Sequence, residues 1–364
     1  MTSWLSEKSG IERSYKVKVF RSPQNPIITP KDVKPSREDF EVIGVFNAGV
    51  ARFEDDVILL LRVAERPIKK NPDIVLTAAY DVEENQIVTK PFSKTDPEID
   101  FSDPRLIQTA AGTYLTSISH LRLARSQDDI RFEIEDVPTI SPATDYETFG
   151  LEDPRISLID GVYYIHYVAV GPPGVTTCLI STRDFDSFQR HGVIFCPENK
   201  DVVLFPEKIN GSFYALHRPA SPLFKKQDIW MAESPDLTAW GNHRHLFGPR
   251  PGGWDEAKVG AGAVPVRTER GWLEVYHGVD RNNRYCLGAV LLDEKEPWKI
   301  LAKSVEPILK PETEYECLGF FGHVVFTCGL LCEDGTLKIY YGAADTSICY
   351  TELSLKEVLE SLKA

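Results

Sequence analysis

The feature that most limits how this chain can fold is a cassette that returns along nearly its whole length: an apolar strand, a turn containing Asp or Gly, then a strand in which aromatic and β-branched residues alternate with others. Its copies read FEDDVILLLRVAE from Phe53, TAAGTYLTSISHL from Thr109, IDGVYYIHYVAV from Ile159, INGSFYALHRP from Ile209, TERGWLEVYHGV from Thr268 and CEDGTLKIYYGAAD from Cys332. Val/Ile/Tyr/Phe-rich strands around Asn-Gly or Asp-Gly turns are strong hairpin signals. The copies begin roughly 50 to 64 residues apart, room for about four short strands each, which fits the blades of a β-propeller better than a two-layer sandwich. Six turn elements allow five or six blades, because the chain ends can share one blade to close the ring and remove exposed strand edges. Only SLKEVLESLKA at the C-terminus has clear helical spacing, and it is expected to pack beneath a blade. No low-complexity linker divides the chain, so residues 1–364 read as one propeller domain.

The balance of 41 basic against 54 acidic residues, a formal charge of −13, argues against nucleic acid or an anionic membrane as partner. The opening MTSWLSEKSGIERSYKVKVF lacks the regions of a secretory signal, and no apolar run reaches transmembrane length, so a cytoplasmic protein is expected. Seven cysteines, mostly inside apolar runs such as VVFTCGLLC, are expected to be reduced and buried. Cys328 and Cys332 have no second Cys or His pair nearby, and no metal-ligand spacing or dinucleotide fingerprint appears, so neither a metal nor an organic cofactor is expected.

In a propeller the innermost strands face a central funnel, so charged residues inside otherwise apolar innermost segments are candidates for a site. Arg62 interrupts VILLLRVA and needs a partner or a polar cavity, because burying it alone is costly; an ion pair with Glu65 is its structural alternative. Asn47 precedes the same run. Asp103 and Arg105 flank Pro104, and Asp153 and Arg155 flank a second proline in GLEDPRI, as though one triplet recurred at corresponding blade positions. Proline fixes the backbone there and can set a carboxylate and a guanidinium in defined directions. Arg122 follows a long alternating strand, while Lys208, His217 and Arg218 bracket the hairpin VVLFPEKINGSFYALHRP. Convergent Lys, Arg and His suit a phosphate or carboxylate. Tyr276 and His277 in VYHGV, and Asp345 closing YYGAAD, complete the set.

Asn47…Arg62, DPRL at Asp103, TSISHLRLARS, GLEDPRI, LFPEKINGSFYALHRP, VYHGV and IYYGAAD together resemble glycoside hydrolase family 130, the β-mannoside phosphorylases and their hydrolytic relatives, from about Asn25 to Ser354 and in the family's order. The resemblance implies a five-bladed β-propeller, with the sixth turn element belonging to ring closure. It also implies inverting phosphorolysis of β-mannosides to α-mannose 1-phosphate, with β-1,2-mannobiose or β-1,2-oligomannan favoured and inorganic phosphate as the only co-substrate. On this similarity Asp103 takes the general acid position. Asn47, Arg62 and Asp345 match sugar-binding positions, joined by Asp153, Tyr276 and His277. Arg122, Arg155 and Lys208, with His217, match the phosphate-binding set. Ala48 stands where some members carry a hydroxyl.

The residues support this chemistry independently. Inverting hydrolysis needs an acid and a separate carboxylate base to activate water. Phosphate is already an anionic nucleophile, so a phosphorylase can dispense with the base if cations hold it against the sugar. Asp103 would need a raised pKa to act as the acid, against the pull of Arg105. Two other readings remain: a β-mannosidase on the same fold with Glu152 or Glu207 as base, and a non-catalytic propeller binding a glycan or protein. The loops SPATDYETFG and FGPRPGGWDEAKVGAG are expected to build the acceptor side, and a homo-oligomer could close the site.

Overall fold

Hairpin turns set up the blades, and the computed structural model, which describes residues 17–364 apart from 104, 222 and 225, shows which turns do so. Five antiparallel sheets form a five-bladed β-propeller. From the axis outward, blade one runs Phe40–Phe53, Asp56–Pro67, Ile118–Ser126 and Glu133–Ile134. Blade two comprises Leu151–Ile159, Val162–Gly171, Gly174–Thr182 and Gln189–Phe195, and blade three Asn199–Leu204, Phe213–Pro219, Ile229–Ser234 and Gly241–Phe247. In blade four the innermost strand is split into Lys258–Gly260 and Val266–Thr268, both paired with Gly271–Val279, followed by Tyr285–Leu292 and Ile300–Ser304. Blade five is Val325–Glu333, Thr336–Ala343 and Ser347–Ser354, completed on its outer edge by the N-terminal strand Val19–Arg21.

Strand alternation sends every second side chain into the space between adjacent blades, and the core is accordingly divided into wedges. Ile58 and Leu60 meet Ile165 and Tyr167 between blades one and two, Leu179 meets Leu204 and Phe213 between two and three, and Leu216 meets Trp272 between three and four. Leu273 and Leu287 pack on Ile339 and Tyr341 between four and five, while Val45 and Leu59 pack on Tyr340 and Ile348 to close the circle.

The sixth turn element, at Cys332, joins the first two strands of blade five, the blade that closes the ring, so the element in excess of five blades is a different one. The turn at Thr109 belongs to the hairpin Leu106–Thr109/Gly112–Leu115, which with Ile74–Asp81/Gln86–Ser93 forms an insert between the second and third strands of blade one. A hairpin's local sequence is the same inside or outside a blade; what differs is the next strand it pairs with, which the turn does not encode. Closure comes from Val19–Arg21, whose Arg21 Nε donates to Glu316 Oε1 at 2.7 Å. The fully buried Glu316 carboxylate also accepts from the Tyr341 hydroxyl at 2.8 Å and from the Glu312 and Thr313 backbone N–H groups.

The C-terminal helix, Leu355–Ser361, is capped by Ser354 Oγ, which accepts from the Glu357 N–H. It buries Val358 against the wedge between blades four and five, and Leu362–Lys363 then pairs with Ile300–Ser304, so the terminus ties those two blades together. All seven cysteines are free thiols; Cys196 and Cys332 are exposed rather than buried, each lying at a strand end where the apolar run gives way to solvent. Among the described residues no helix is long and apolar enough to cross a membrane.

Replacing Arg21 with Ala would leave the buried Glu316 without its cation while keeping its other donors. Urea unfolding should show a loss of about 2 kcal/mol.

Candidate active site

The innermost strands do not run through the ring undisturbed. Pairing with the neighbouring strand shifts register between Phe46 and Gly49 in blade one, Glu152 and Arg155 in blade two, Lys200 and Val203 in blade three, and Thr327 and Gly329 in blade five. The blade-four strand is interrupted after Gly260. Such bulges kink a strand and re-aim the extra residue. Asn47, Asp153 and Asp201 occupy three of them with φ of 52°, 47° and 53°, a left-handed conformation that Asn and Asp tolerate better than most residues. Asp345, with φ of 48°, sits in the turn between the second and third strands of blade five.

These departures surround a cavity of about 390 Å³ on the axis, to which all five blades contribute. One side is acidic. Asp153 Oδ1 accepts from Asn47 Nδ2 and from Arg62 Nη1, both at 2.9 Å, and Arg62 Nη2 donates to Glu152 Oε1 at 2.7 Å. The Arg62 guanidinium lies 4.6 Å from the Phe46 ring centre, so its partners are Glu152 and Asp153 rather than Glu65. Burial works to raise the Asp153 pKa, but Arg62, Lys200, Arg155 and the Asn47 hydrogen bond hold it below the ordinary value. Asp345 goes the other way: burial, with Asp153 and Glu152 nearby, outweighs Arg62 and lifts it to about 6. Asp345 has no hydrogen-bond partner among the described residues.

The other side is basic. Arg218 Nη1 lies 2.7 Å from Asp201 Oδ2 and 3.2 Å from His277 Nε2. Burial depresses His277 to about 3, so it is neutral and accepts from Arg218. Lys258 donates to the Tyr285 hydroxyl, and burial, reinforced by Arg218 and Lys200, lowers it to about 7. Among the described residues neither Lys200 nor Lys258 has a carboxylate within salt-bridge distance. Gly260 leaves this side open: a Cβ there would stand 2.4 Å from both Asp201 Oδ2 and His277 Cε1.

Asn47, Arg62, Asp153, His277 and Asp345 therefore converge, together with Arg105, Glu152 and Arg218, whereas Asp103, Arg122, Arg155, Lys208, His217 and Tyr276 do not line the cavity. Asp103 is on the blade-one insert, where its two oxygens bind Arg105 Nε at 3.0 Å and Nη2 at 2.7 Å. That contact drives Asp103 down to about 2, opposite to the shift an acid requires. The two Asp-Pro-Arg triplets are thus not equivalent; Pro104 lies outside the described residues.

Arg122 is fully buried in the third strand of blade one, donating to the Lys34 carbonyl at 2.7 Å and facing His120. Arg155, equally buried, donates to the Gly262, Ala261 and Asp153 carbonyls and ties blade two to blade four beside the cavity. Lys208 is exposed, its ammonium 4.7 Å from the Phe213 ring centre. Alternation explains two further misses, because neighbours on a strand face opposite ways. His217 turns to Asn199 and His243 while Arg218 enters the cavity, and Tyr276 turns to Asp255 while His277 enters it. Ala48 packs in the wedge between blades one and five.

Lys200, Asp201, Lys258 and Tyr285 were not singled out from the sequence, although all four line the cavity. For the first two a signal existed: Lys200-Asp201 opens an apolar strand as Glu152-Asp153 does. Of the two candidate loops, FGPRPGGWDEAKVGAG supplies Lys258, whereas SPATDYETFG contributes no lining residue.

Because the Asp345 pKa is raised above the unfolded value of about 3.9, its ionisation costs stability above about pH 6 and nothing below about pH 4. Asp345→Asn should therefore raise Tm at pH 8, with the gain disappearing by about pH 4 in a series of melting curves.

The family model for beta-1,4-mannooligosaccharide phosphorylase, glycoside hydrolase family 130, matches residues 104–364. The chain is 47% identical to the beta-1,2-mannobiose phosphorylase of Listeria innocua serovar 6a over 349 residues, 95% of this chain and 98% of that protein. The crystal structure of that phosphorylase with beta-1,2-mannobiose superposes with a TM-score of 0.92, covering 94% of this chain and 98% of that one. A 1,2-beta-oligomannan phosphorylase of Thermoanaerobacter sp. (strain X514) is 43% identical over 244 residues, 66% of this chain and 80% of the relative. A family model spanning well over half the chain, and a close relative matched almost from end to end, place this protein in glycoside hydrolase family 130, the mannoside phosphorylases.

Proposed function

We propose that this protein catalyses the reversible phosphorolysis of β-mannosides, with β-1,2-mannobiose as substrate and α-mannose 1-phosphate and mannose as products. The observation that carries this reading is one cavity in which a carboxylate cluster faces Lys200 and Lys258, two cations with no acidic partner among the described residues. A buried charge left unpaired by the protein is costly, and a bound phosphate would supply the missing counter-charge. Arg218 and a neutral His277 complete its donors.

In the reaction the phosphate oxygen attacks C1 as the bond from C1 to the glycosidic oxygen breaks, with inversion, and the leaving oxygen takes a proton. We assign that proton to the Asp153–Asp345 pair instead of Asp103. Asp153 is aligned through Oδ1 alone, which leaves Oδ2 for the ligand, while Asp345 keeps a proton to about pH 6. Interacting carboxyls titrate as a unit, so the acid is the pair. A hydrolytic base is harder to find: Glu207 pairs with Arg267 outside the cavity, and Glu152 is held by Arg62. Inorganic phosphate is the co-substrate, and the mechanism calls on no further cofactor.

Purified protein with β-1,2-mannobiose should form α-mannose 1-phosphate only when phosphate is present; free mannose alone at a phosphate-independent rate would refute the reading. Asp153→Asn and Asp345→Asn should each lower kcat at least about a hundredfold. Lys200→Ala should raise the phosphate KM by about tenfold or more in the same assay. Since Lys258 loses its charge as pH rises through about 7, kcat/KM for phosphate should fall above that pH. In Lys258→Arg, whose cation persists, that alkaline limb should move upward in a pH–rate profile.

A further inference from the structure

The cations of the cavity fall into two kinds. Lys200 and Lys258 lack an acid partner among the described residues, whereas Arg105, like the deeply buried Arg218 and like Arg62, already carries one. Asp103 engages its guanidinium through Nε and Nη2 and also accepts from the Arg105 backbone N–H at 2.9 Å, which fixes side chain and loop together. A guanidinium compensated in this way adds little net charge to attract an anion. Among the described residues its Nη1 donates to no partner, and donors in an electroneutral pair suit the hydroxyls of a neutral sugar.

Position points the same way. Arg105 reaches the cavity from the blade-one insert with 52% of its side chain exposed, while Arg218 on the basic wall has 4%. Its guanidinium lies 5.4 Å from the Phe321 ring centre, and Leu106, Leu115 and the partly exposed Phe320 line the cavity around it. Apolar surface beside a fork of donors matches the C–H face and O–H edge of a pyranose. Arg105 also interacts electrostatically with Lys258 and Tyr285 of blade four, so what marks it for the departing sugar is its exposed place at the rim rather than distance from the basic wall.

Resting on the phosphorylase reading, we propose that Arg105 binds the departing mannose, which is the acceptor in the reverse direction, and that Asp103 is the positioning residue that holds Arg105 at the rim. The test is synthesis from α-mannose 1-phosphate and mannose by wild type, Arg105→Ala, Arg105→Lys, Asp103→Asn and the double variant, with melting curves to confirm folding. The acceptor KM should rise about tenfold in Arg105→Ala and in Asp103→Asn, less in Arg105→Lys, and the KM for α-mannose 1-phosphate should stay within about twofold. The double variant should be no worse than Arg105→Ala, because Asp103 acts through Arg105. A rise in the phosphate or sugar-phosphate KM instead, an unchanged acceptor KM, or a collapse of kcat in Asp103→Asn with acceptor KM intact would each overturn the proposal. Absence of phosphate-dependent turnover by wild type would overturn the phosphorylase reading itself, and this assignment with it.

Discussion

A strand that ran straight through the ring would send its alternate side chains into the wedges between blades and leave little but backbone and small residues to furnish the axis. What this structure depends on is the break in register of the innermost strands, repeated in four blades and replaced by an interruption in the fourth. In blades one to three the break leaves a residue that the ladder does not pair and turns it toward the funnel, while in blade five it leaves Cys328, which packs with Val324 and Phe326. Asn47, Asp153 and Asp201 stand at these positions because a short polar side chain accepts the left-handed backbone, so the geometry of the bulge and the chemistry of the site select the same residue types.

The wedges supply the rigidity that the bulges give up. Five apolar clusters, one between each pair of neighbouring blades, hold the strands on which the polar residues ride, and the charged groups are placed by contacts across blades: Arg62 of blade one on Asp153 of blade two, Arg155 of blade two on the backbone of blade four. The cavity nonetheless keeps groups that a purely structural interior would avoid, an Asp345 with no hydrogen-bond partner among the described residues and a lysine that burial brings down to about 7. Stability given up at a ligand site is the usual cost of having groups ready to bind and react.

The repeated turns and alternating strands made the propeller legible, and the acidic side of the cavity was legible too, since Asn47, Arg62, Asp153 and Asp345 break apolar runs within the blades. The basic side was misread for identifiable reasons. His217 and Arg218, like Tyr276 and His277, are neighbours whose side chains diverge, and the sequence named both members of each pair although strand alternation brings only one of them to the cavity. Asp103 was misplaced because a tripeptide shared with Asp153 looked like a repeat of position, while the insert that separates the two settings shows in sequence only as another hairpin. Lys208 was singled out and Lys200 was not, although both flank apolar strands, and only the bulge before Val203 distinguishes the one that faces the axis.

Closing blade five with the N-terminal strand has a consequence for how this molecule comes into being. The pair that locks the ring, Arg21 and Glu316, is separated by 295 residues, and Asp345 follows later still. Contacts so distant in sequence form late and slowly, since the entropy of the intervening chain must be surrendered before they give anything back. No partial product of synthesis holds the whole cavity, because its walls come from every blade and its last carboxyl from the final one. Ligand binding is thus a property the chain acquires all at once, on completion of the circle, and a truncated copy has no weaker version of it to offer.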